Sequence, residues 1–226
     1  MINIGIPSKG RLKKDIIKVF SQNKLHLFSE RGKRDLFAFV KKYKDIRIIY
    51  LHAREIIERL ADGSLDIGFS GYDLLKESNV NIQKKINVIK KYNFGLADLV
   101  LAIPSQWIDV QTVADLEEIA FILKEKKNQR IRVATKYPNL TKEFLFSKGV
   151  TQFKLVYSLG ATEAYPLSGS SEIISDITST GETLRANNLR ILIDGKIISS
   201  QACMIVAKKS VKKKNIKKFI KLFSKE

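Results

Sequence analysis

Residues 163–184 read EAYPLSGSSEIISDITSTGETL, and the second half of that stretch decides how the chain is organised. Glu172 to Ile177 is a short, mainly apolar run that opens on one acid and carries a second, Asp176, near its end. Thr178, Ser179, Thr180, Gly181, Glu182 and Thr183 follow as a hydroxyl-rich, glycine-bearing turn, and Leu184 opens a helix-like run. A strand that ends in such a turn and feeds a helix presents backbone N–H groups at the positive end of the helix dipole, where phosphate binds. The hydroxyls of Thr178, Ser179, Thr180 and Thr183 add donors, and Asp176 can face a ribose hydroxyl or a magnesium ion. Ser and Thr also cap helices routinely. On its own the loop therefore fits either a phosphate site or a well-capped turn.

Similar units recur along the chain. MINIGIP (1–7) reads as a strand, SKGR (8–11) as a turn, and 12–23 as a helix with Leu12, Ile16, Val19 and Phe20 on one face. Lys9 and Arg11 in that turn suit an anion, or are two surface cations beside a glycine. LDIGFSGYDLL (65–75) is a buried strand, a glycine turn and a helix start. Asp73 in its first turn recognises a ligand group or caps the helix. RDLFAFV (34–40) and DIRIIYL (45–51) read as a hairpin, 53–61 as a helix, and 84–92 as a strand. NFGLADLVLAIP (93–104) is a long extended run, followed by a helix over 113–126. RIRVATKYPNL (130–140) is a strand leading into a helix that Pro138 opens and Gly149 closes. FKLVY (153–157) is a strand, and 163–167 a short helix.

Strands alternating with helices predict an α/β chain of two lobes with mixed, mainly parallel sheets. The expected division is a discontinuous first lobe, 1–93 plus 187–226, and a second lobe, 94–186, carrying the 176–184 loop. A ligand cleft is expected between them, because ligands of α/β sheets collect at the carboxyl ends of strands.

Composition narrows the function. The 226 residues are 44% apolar, enough for sizeable cores. The one cysteine, Cys203, sits in the apolar run ACMIVA, so it reads as a buried strand residue rather than a nucleophile, and no internal disulfide can form. No stretch reaches the roughly 18 apolar residues of a membrane span, and MINIGIPSKGRLKK does not read as a secretion signal. The expectation is a cytoplasmic protein with no membrane partner. The net charge of +18 admits nucleic acid, an acidic partner or phosphorylated substrates. Nine lysines and one acid fall in 208–226, where Ile216, Phe219, Ile220 and Phe223 keep helical spacing. That pattern is an amphipathic surface helix with a lysine-rich face, and no nucleic-acid motif accompanies it.

Several chemistries drop out. The two histidines, His26 and His52, lie in no ligand-spaced cluster. There is no Gly-x-Ser-x-Gly elbow, no P-loop and no GxGxxG after the first strand. A reaction that needs positioning and charge stabilisation of phosphate-bearing substrates fits what remains.

At this point the residues resemble a known family, the catalytic subunits of ATP phosphoribosyltransferase. SKGR, DGSLDIGFSGYDLL (62–75), RVATKYPNLTKEFLFSKGV (132–150), Gly160 with Glu163, Gly169, Asp176 with TSTGETL, and SSQACMIVAKKS (199–210) carry the resemblance nearly end to end. It implies a fold like the type II periplasmic binding proteins. It implies condensation of ATP with 5-phosphoribosyl 1-pyrophosphate, with Mg²⁺, as the first step of histidine biosynthesis. Mapped position by position, it implies that Thr178, Ser179, Thr180, Gly181, Glu182 and Thr183 cradle the 5-phosphate. Asp176 holds ribose hydroxyls, and Glu163 assists there or, with Asp176, at the metal. Lys9 and Arg11 bind pyrophosphate or ATP phosphates, Arg34 neutralises the leaving group, and Gly71 and Asp73 contact the nucleotide. The length resembles the family's short form, which implies a homodimer and a partner resembling histidyl-tRNA synthetase in a hetero-octamer.

The sequence also departs from the family pattern. His52 stands where a second leaving-group arginine is usual, with Arg54 two residues on. Either His52 acts protonated, or Arg54 takes over part of that role, or activity is weaker. Ala97, Ala161 and Ala207 replace Cys, Ser and Asn that are common there, and Glu182 brings a negative charge into the phosphate loop. These changes leave a second reading, a non-catalytic or divergent member of the fold that binds or regulates, or that transfers phosphoribosyl to another acceptor.

Overall fold

The computed structural model describes residues 1–29, 36–41 and 43–223. In chain order the elements are β1 (Ile2–Pro7), α1 (Gly10–Gln22), β2 (Leu27–Phe28), β3 (Phe37–Val40), β4 (Tyr43–Leu51), α2 (Ala53–Asp62), β5 (Ile67–Gly71), α3 (Tyr72–Glu77), α4 (Val80–Gln83) and β6 (Ile86–Lys91). Then come β7 (Ala97–Pro104), α5 (Val113–Lys127), β8 (Ile131–Thr135), α6 (Pro138–Ser147), β9 (Phe153–Tyr157), a 3₁₀ turn (Thr162–Ala164), β10 (Ile173–Thr178), α7 (Glu182–Ala186) and β11 (Leu189–Ser200). The chain closes with β12 (Ala202–Ala207), α8 (Lys208–Val211) and α9 (Lys214–Leu222).

Contacts divide the chain into two units, Met1–Gly95 with Gln201–Glu226, and Leu96–Ser200. The first boundary falls within two residues of the expected one. The second differs, because 187–200 belongs with the second unit. β11 runs antiparallel to β7 from Leu189 opposite Pro104 to Ser200 opposite Ala97, with register shifts around Lys196. A long ladder of backbone hydrogen bonds therefore holds it, and the chain returns only at Gln201.

The first unit holds a seven-stranded sheet ordered β2-β3-β4-β1-β5-β12-β6. β1 pairs parallel with β4 and β5, and the flanking pairs are antiparallel. Ile2, Ile4 and Ile6 alternate onto one face, where α1 and α9 bring Ile16, Phe20, Phe219 and Phe223. Phe20 meets Phe69 edge-on at 5.4 Å and Phe223 at 5.1 Å, so the periodic stripe read at 12–20 becomes an aromatic core. The other face packs α2 through Ile56, Ile57 and Leu60. Gly68 permits the close approach, since a Cβ there would lie 2.5 Å from Ile56 Cγ2. Cys203 is buried on β12, and burial pushes its thiol up to about 11, so it is a core residue as expected.

The second unit holds a five-stranded sheet ordered β11-β7-β10-β8-β9. β10, β8 and β9 pair parallel, while β7 is antiparallel to both β10 and β11. In both units parallel pairing is thus confined to one run of three strands, and the antiparallel strands flank it, so "mainly parallel" describes only those runs. Leu101, Ile103, Leu116, Ile131, Val133, Leu145 and Ile173 form the core on one face. Val100, Ala102, Ala134, Ile174, Leu184 and Leu189 form it on the other. Thr112 and Asp115 cap α5 reciprocally, and Asp194 accepts from Val113 N at 2.8 Å. The short helix expected at 163–167 is instead the 3₁₀ turn at Thr162–Ala164 followed by turns to 169. No helix among the described residues is long and apolar enough to cross a membrane.

Candidate functional site

The loop read first in the sequence sits at the carboxyl end of β10, where the strand gives way to α7. Thr178 Oγ1 accepts from Gly181 N at 2.9 Å, and Thr180 Oγ1 accepts from Glu182 N at 3.4 Å. Gly181 takes φ +73°, a conformation that strains any L side chain. The helix starts at Glu182, two residues earlier than the sequence reading placed it. Two of the loop's amides are therefore already met by its own hydroxyls. The first bond is of ordinary length, while the second lies near the outer limit and is readily exchanged for a stronger acceptor. Ser179, Thr180, Glu182 and Thr183 are exposed, and Glu182 occupies the first position of the short helix.

Asp176 lies two residues before the loop. It is largely shielded from water, and that burial raises its carboxyl above the usual range. Ile177 N donates to its Oδ1 at 2.8 Å, Lys136 attracts it, the nearby Thr162 hydroxyl favours its charged form, and Glu163 repels it. Register explains why Lys136 is near: Thr135 on β8 stands opposite Ser175 on β10, so Lys136, just past the end of β8, comes beside Asp176 on β10. A buried hydroxyl ladder fixes the two strand ends. Thr141 Oγ1 donates to Ser175 Oγ at 2.9 Å and lies 3.3 Å from Thr135 Oγ1, which also accepts from Tyr137 N at 2.9 Å. A hydroxyl has one proton, so Thr135 must donate to Thr141. A partly buried carboxylate beside one cation and one acid is an arrangement that binds rather than packs.

The other predicted residues lie in the first unit. Lys9 is the N-cap of α1 and Arg11 is in its first turn, both exposed, with no acid in that turn. Arg11 Nε is 3.8 Å from Asp15 Oδ2. Cations at the positive end of a helix are unfavourable, and an anion there would offset the cost. Gly71 is the N-cap of α3, and a Cβ on it would collide with the Asp73 carboxylate. Asp73 is buried in the first turn of α3, with its carboxylate packed against Gly71. Arg34 lies outside the described residues.

His52 has a local role the sequence reading did not foresee. It is the N-cap of α2, and its Nδ1 accepts from Arg54 N at 3.4 Å. His52→Ala is expected to lower stability by about 0.5–1 kcal/mol, while His52→Asn, a strong cap, keeps or raises it. Urea unfolding of both variants checks this, and equal losses would show that the cap contributes nothing.

A sequence profile for ATP phosphoribosyltransferase matches residues 52–225. The chain belongs to the ATP phosphoribosyltransferase family. It is 41% identical over 209 residues to an ATP phosphoribosyltransferase of Rhizobium etli, covering 92% of this chain and 90% of that one. It is 43% identical over 207 residues to one from Nitrobacter winogradskyi, but there it spans 64% of the relative's length. Among solved structures, the ATP phosphoribosyl transferase (HisG:HisZ) complex from Thermotoga maritima matches with a TM-score of 0.77 at 26% identity, covering 99% of this chain and 97% of that one. An amino-acid ABC transporter extracellular-binding protein of Bacillus subtilis matches with a TM-score of 0.56 at 14% identity, covering 99% and 88%. The expected likeness of fold to extracellular ligand-binding proteins therefore holds.

The family's need for a metal can be set against the residues present. Among the described residues no group of three or more His, Cys, Asp and Glu comes together to hold an ion. Glu163 and Asp176 are two neighbouring carboxylates. A hard divalent cation that keeps water and substrate phosphates as most of its ligands needs only one or two such groups. The pair fits a metal carried by the substrate, not a protein-built cage.

Three residues of this cluster were not singled out from the sequence: Lys136, Ser158 and Thr162. Only Lys136 left a trace, as a cation directly after a strand, and its partner depends on strand register. A concavity of ≈ 610 Å³ lined by Arg130, Arg132, Lys154 and Glu172 lies at the opposite, amino end of β8. There Glu172 takes a bidentate bond from Arg132, with Nη2 at 2.6 Å, so much of its charge is spent on fastening strands.

Proposed function

We propose that this protein condenses ATP with 5-phosphoribosyl 1-pyrophosphate, giving phosphoribosyl-ATP and pyrophosphate, the first step of histidine biosynthesis in the cytoplasm. The observation that carries the reading is the shielded Asp176, set beside Lys136 and directly before the hydroxyl loop, in a member of this family. In the reaction, N1 of the adenine bonds to the anomeric carbon as the bond to the pyrophosphate oxygen breaks. The electron pair leaves with pyrophosphate, so positive charge builds on the ribose and negative charge on the leaving group.

Asp176 accepts from the ribose hydroxyls and keeps a negative charge near the developing cation. Thr178, Ser179, Thr180, Gly181 and Thr183 hold the 5-phosphate through hydroxyls and amides, with Glu182 pointing away. Lys9, Arg11, Arg34 and Arg54 neutralise phosphates, and Gly71 and Asp73 contact the nucleotide. Glu163 and Asp176 would help hold Mg²⁺, which supplies charge neutralisation on the diphosphate. His52 serves the reaction through the fold of α2, by setting the helix start that carries Arg54. We further propose a homodimer and, because the Thermotoga relative is a HisG:HisZ complex, assembly with a HisZ-like subunit.

The test mixes the protein with ATP, phosphoribosyl pyrophosphate and Mg²⁺, with and without a HisZ-like subunit, and follows product absorbance and pyrophosphate. Turnover is expected, with Arg54→Ala slower than His52→Asn. Donor binding without turnover under either condition would replace this reading by the non-catalytic one. Arg54→Ala at full rate beside an inactive His52→Asn would return the arginine's role to His52.

A further inference from the structure

We propose that the hollow at the amino end of β8 binds a phosphate group, free or carried on a small organic molecule, at a second site in the second unit. The end of α5, the strands β8 and β9, and the residue before β10 wall it with Lys124, Asn128, Arg130, Arg132, Lys154 and Glu172. Its volume of ≈ 610 Å³ lies within the range of small-molecule sites.

Strand pairing brings the charges together. Arg132 on β8 is the register partner of Lys154 on β9, and Glu172 N donates to Arg132 O on the other side. Like charges opposite one another on neighbouring strands weaken the pairing. Glu172 answers only one of the two. Its Oε1 accepts from Arg132 Nη2 at 2.6 Å and from Nε at 3.1 Å, and its Oε2 accepts from Arg132 N at 2.6 Å. Those bonds fix the guanidinium, and its Nη1 donates to nothing among the described residues. Lys124 is also held, with its Nζ 2.5 Å from Asn128 Oδ1. Asn128 is neutral, so the ammonium keeps its full charge. The side chains of Arg130 and Lys154 make no hydrogen bond or ion pair among the described residues. Four cations against one carboxylate leave this hollow a local charge of +3.

Stability alone does not call for that arrangement. A helix dipole explains the cations in the last turn of α5, Lys124, Lys126 and Lys127. It does not explain Arg130 beyond the helix, or Arg132 and Lys154 on the strands. A phosphate reverses the sign of their repulsion. Arg130 and Lys154 neutralise it, and Arg132 Nη1 donates from a group that Glu172 has already oriented, so little side-chain freedom is lost on binding. A nucleic-acid strand would call for aromatic platforms along a basic track. No aromatic side chain among the described residues lines this hollow. Leu123 and the carboxamides of Asn128 and Gln129 instead offer a small wall for the organic part of a phosphomonoester.

Amide NMR of the full chain tests the site by titration with inorganic phosphate and, separately, with glycerol 3-phosphate at fixed ionic strength. Saturable shifts are expected at the amides of Gln129, Arg130, Lys154 and Glu172. The double variant Arg130→Ala, Lys154→Ala should bind there about tenfold more weakly or worse, the worth of at least one hydrogen bond to a charged group. Shifts at Thr180 and Thr183 should stay as in wild type, so loss at this hollow is separated from loss at the 178–183 loop. The variant should melt no lower than wild type without phosphate, because a like-charged neighbour of Arg132 is gone. Tighter binding of glycerol 3-phosphate assigns an organic phosphate, and equal affinity assigns the free ion. Binding of neither probe, or the same shifts from chloride at matched ionic strength, would overturn the proposal. Unchanged phosphate affinity in the double variant would overturn it too. Should that variant not fold, unchanged affinity in Lys154→Gln is the overturning result. A single-stranded oligonucleotide that displaces both probes would replace the small-molecule reading.

Discussion

Asp176→Asn is expected to bind phosphoribosyl pyrophosphate about a hundredfold more weakly, the worth of one or two hydrogen bonds to a charged acceptor, and yet to unfold at the same temperature or higher. The two effects have one cause. Burial raises the Asp176 carboxyl, so the folded protein carries an ionised group where water solvates it poorly. The amide removes that cost and keeps the local bonds. Its oxygen accepts from Ile177 N, which now reaches Asp176 Oδ1 at 2.8 Å. The sign with pH follows. A group whose folded pKa is raised contributes stability that is fully present below its unfolded value, about 3.9 for Asp, and is lost as pH rises through the folded value. Wild type and variant should therefore melt together in acid, and the variant should gain on wild type towards neutral pH. Melting curves across that range, with calorimetry at neutral pH, give both readouts. A variant that melts lower at neutral pH would make Asp176 a structural residue. One that binds normally would end the loop's assignment to the donor.

The order strand, acid, hydroxyl loop, helix is local, so Asp176 and Thr178 to Thr183 could be named from residues within a few positions of one another. The amphipathic stripes at 12–20 and 216–223 were legible for the same reason, because their period of 3.6 needs no knowledge of a partner. Lys136 beside Asp176 is a matter of register between β8 and β10, forty residues apart, and nothing in either strand states it. Ser158 and Thr162 were invisible because Ser and Thr serve equally as turn, cap and core residues. The second boundary was missed at GKIISS, which a reader can assign to either sheet, since only its ladder with β7 decides. That His52 caps α2 was not foreseen, because a histidine at a helix start carries no signal as clear as Ser, Thr, Asp or Asn.

The first unit depends on a contact between distant parts of the chain, and Asp66→Ala is expected to cost it about 2–4 kcal/mol in urea unfolding at neutral pH. Asp66 Oδ1 accepts from Ser210 Oγ at 2.6 Å and from Lys213 Nζ at 2.8 Å, and its Oδ2 accepts from Asn3 N at 3.0 Å. The ion pair is the smaller part, because the Lys213 side chain is 52% exposed and solvent screens it. The larger part is Ser210, fully buried, and the Asn3 amide, both left without that acceptor. Desolvation pushes the Asp66 carboxyl up, but the bonds from Lys213, Ser210 and Asn3 outweigh it, and the net shift is down. A depressed folded value means stability present above the unfolded pKa, about 3.9, and lost as pH falls through the folded one. Asp66→Ala should therefore flatten the acid limb of the stability curve, and the gap between variant and wild type should shrink below about pH 4. The topology survives the change, because Asp66 N still donates to Asn3 O at 2.9 Å and Ala207 N to Asp66 O at 3.0 Å. Asp66→Asn, which can still accept from Asn3 and Ser210, should recover most of the loss at neutral pH. If it recovers none, charge and not acceptor geometry holds the ends of the chain together, and the weight assigned here to Ser210 belongs to Lys213.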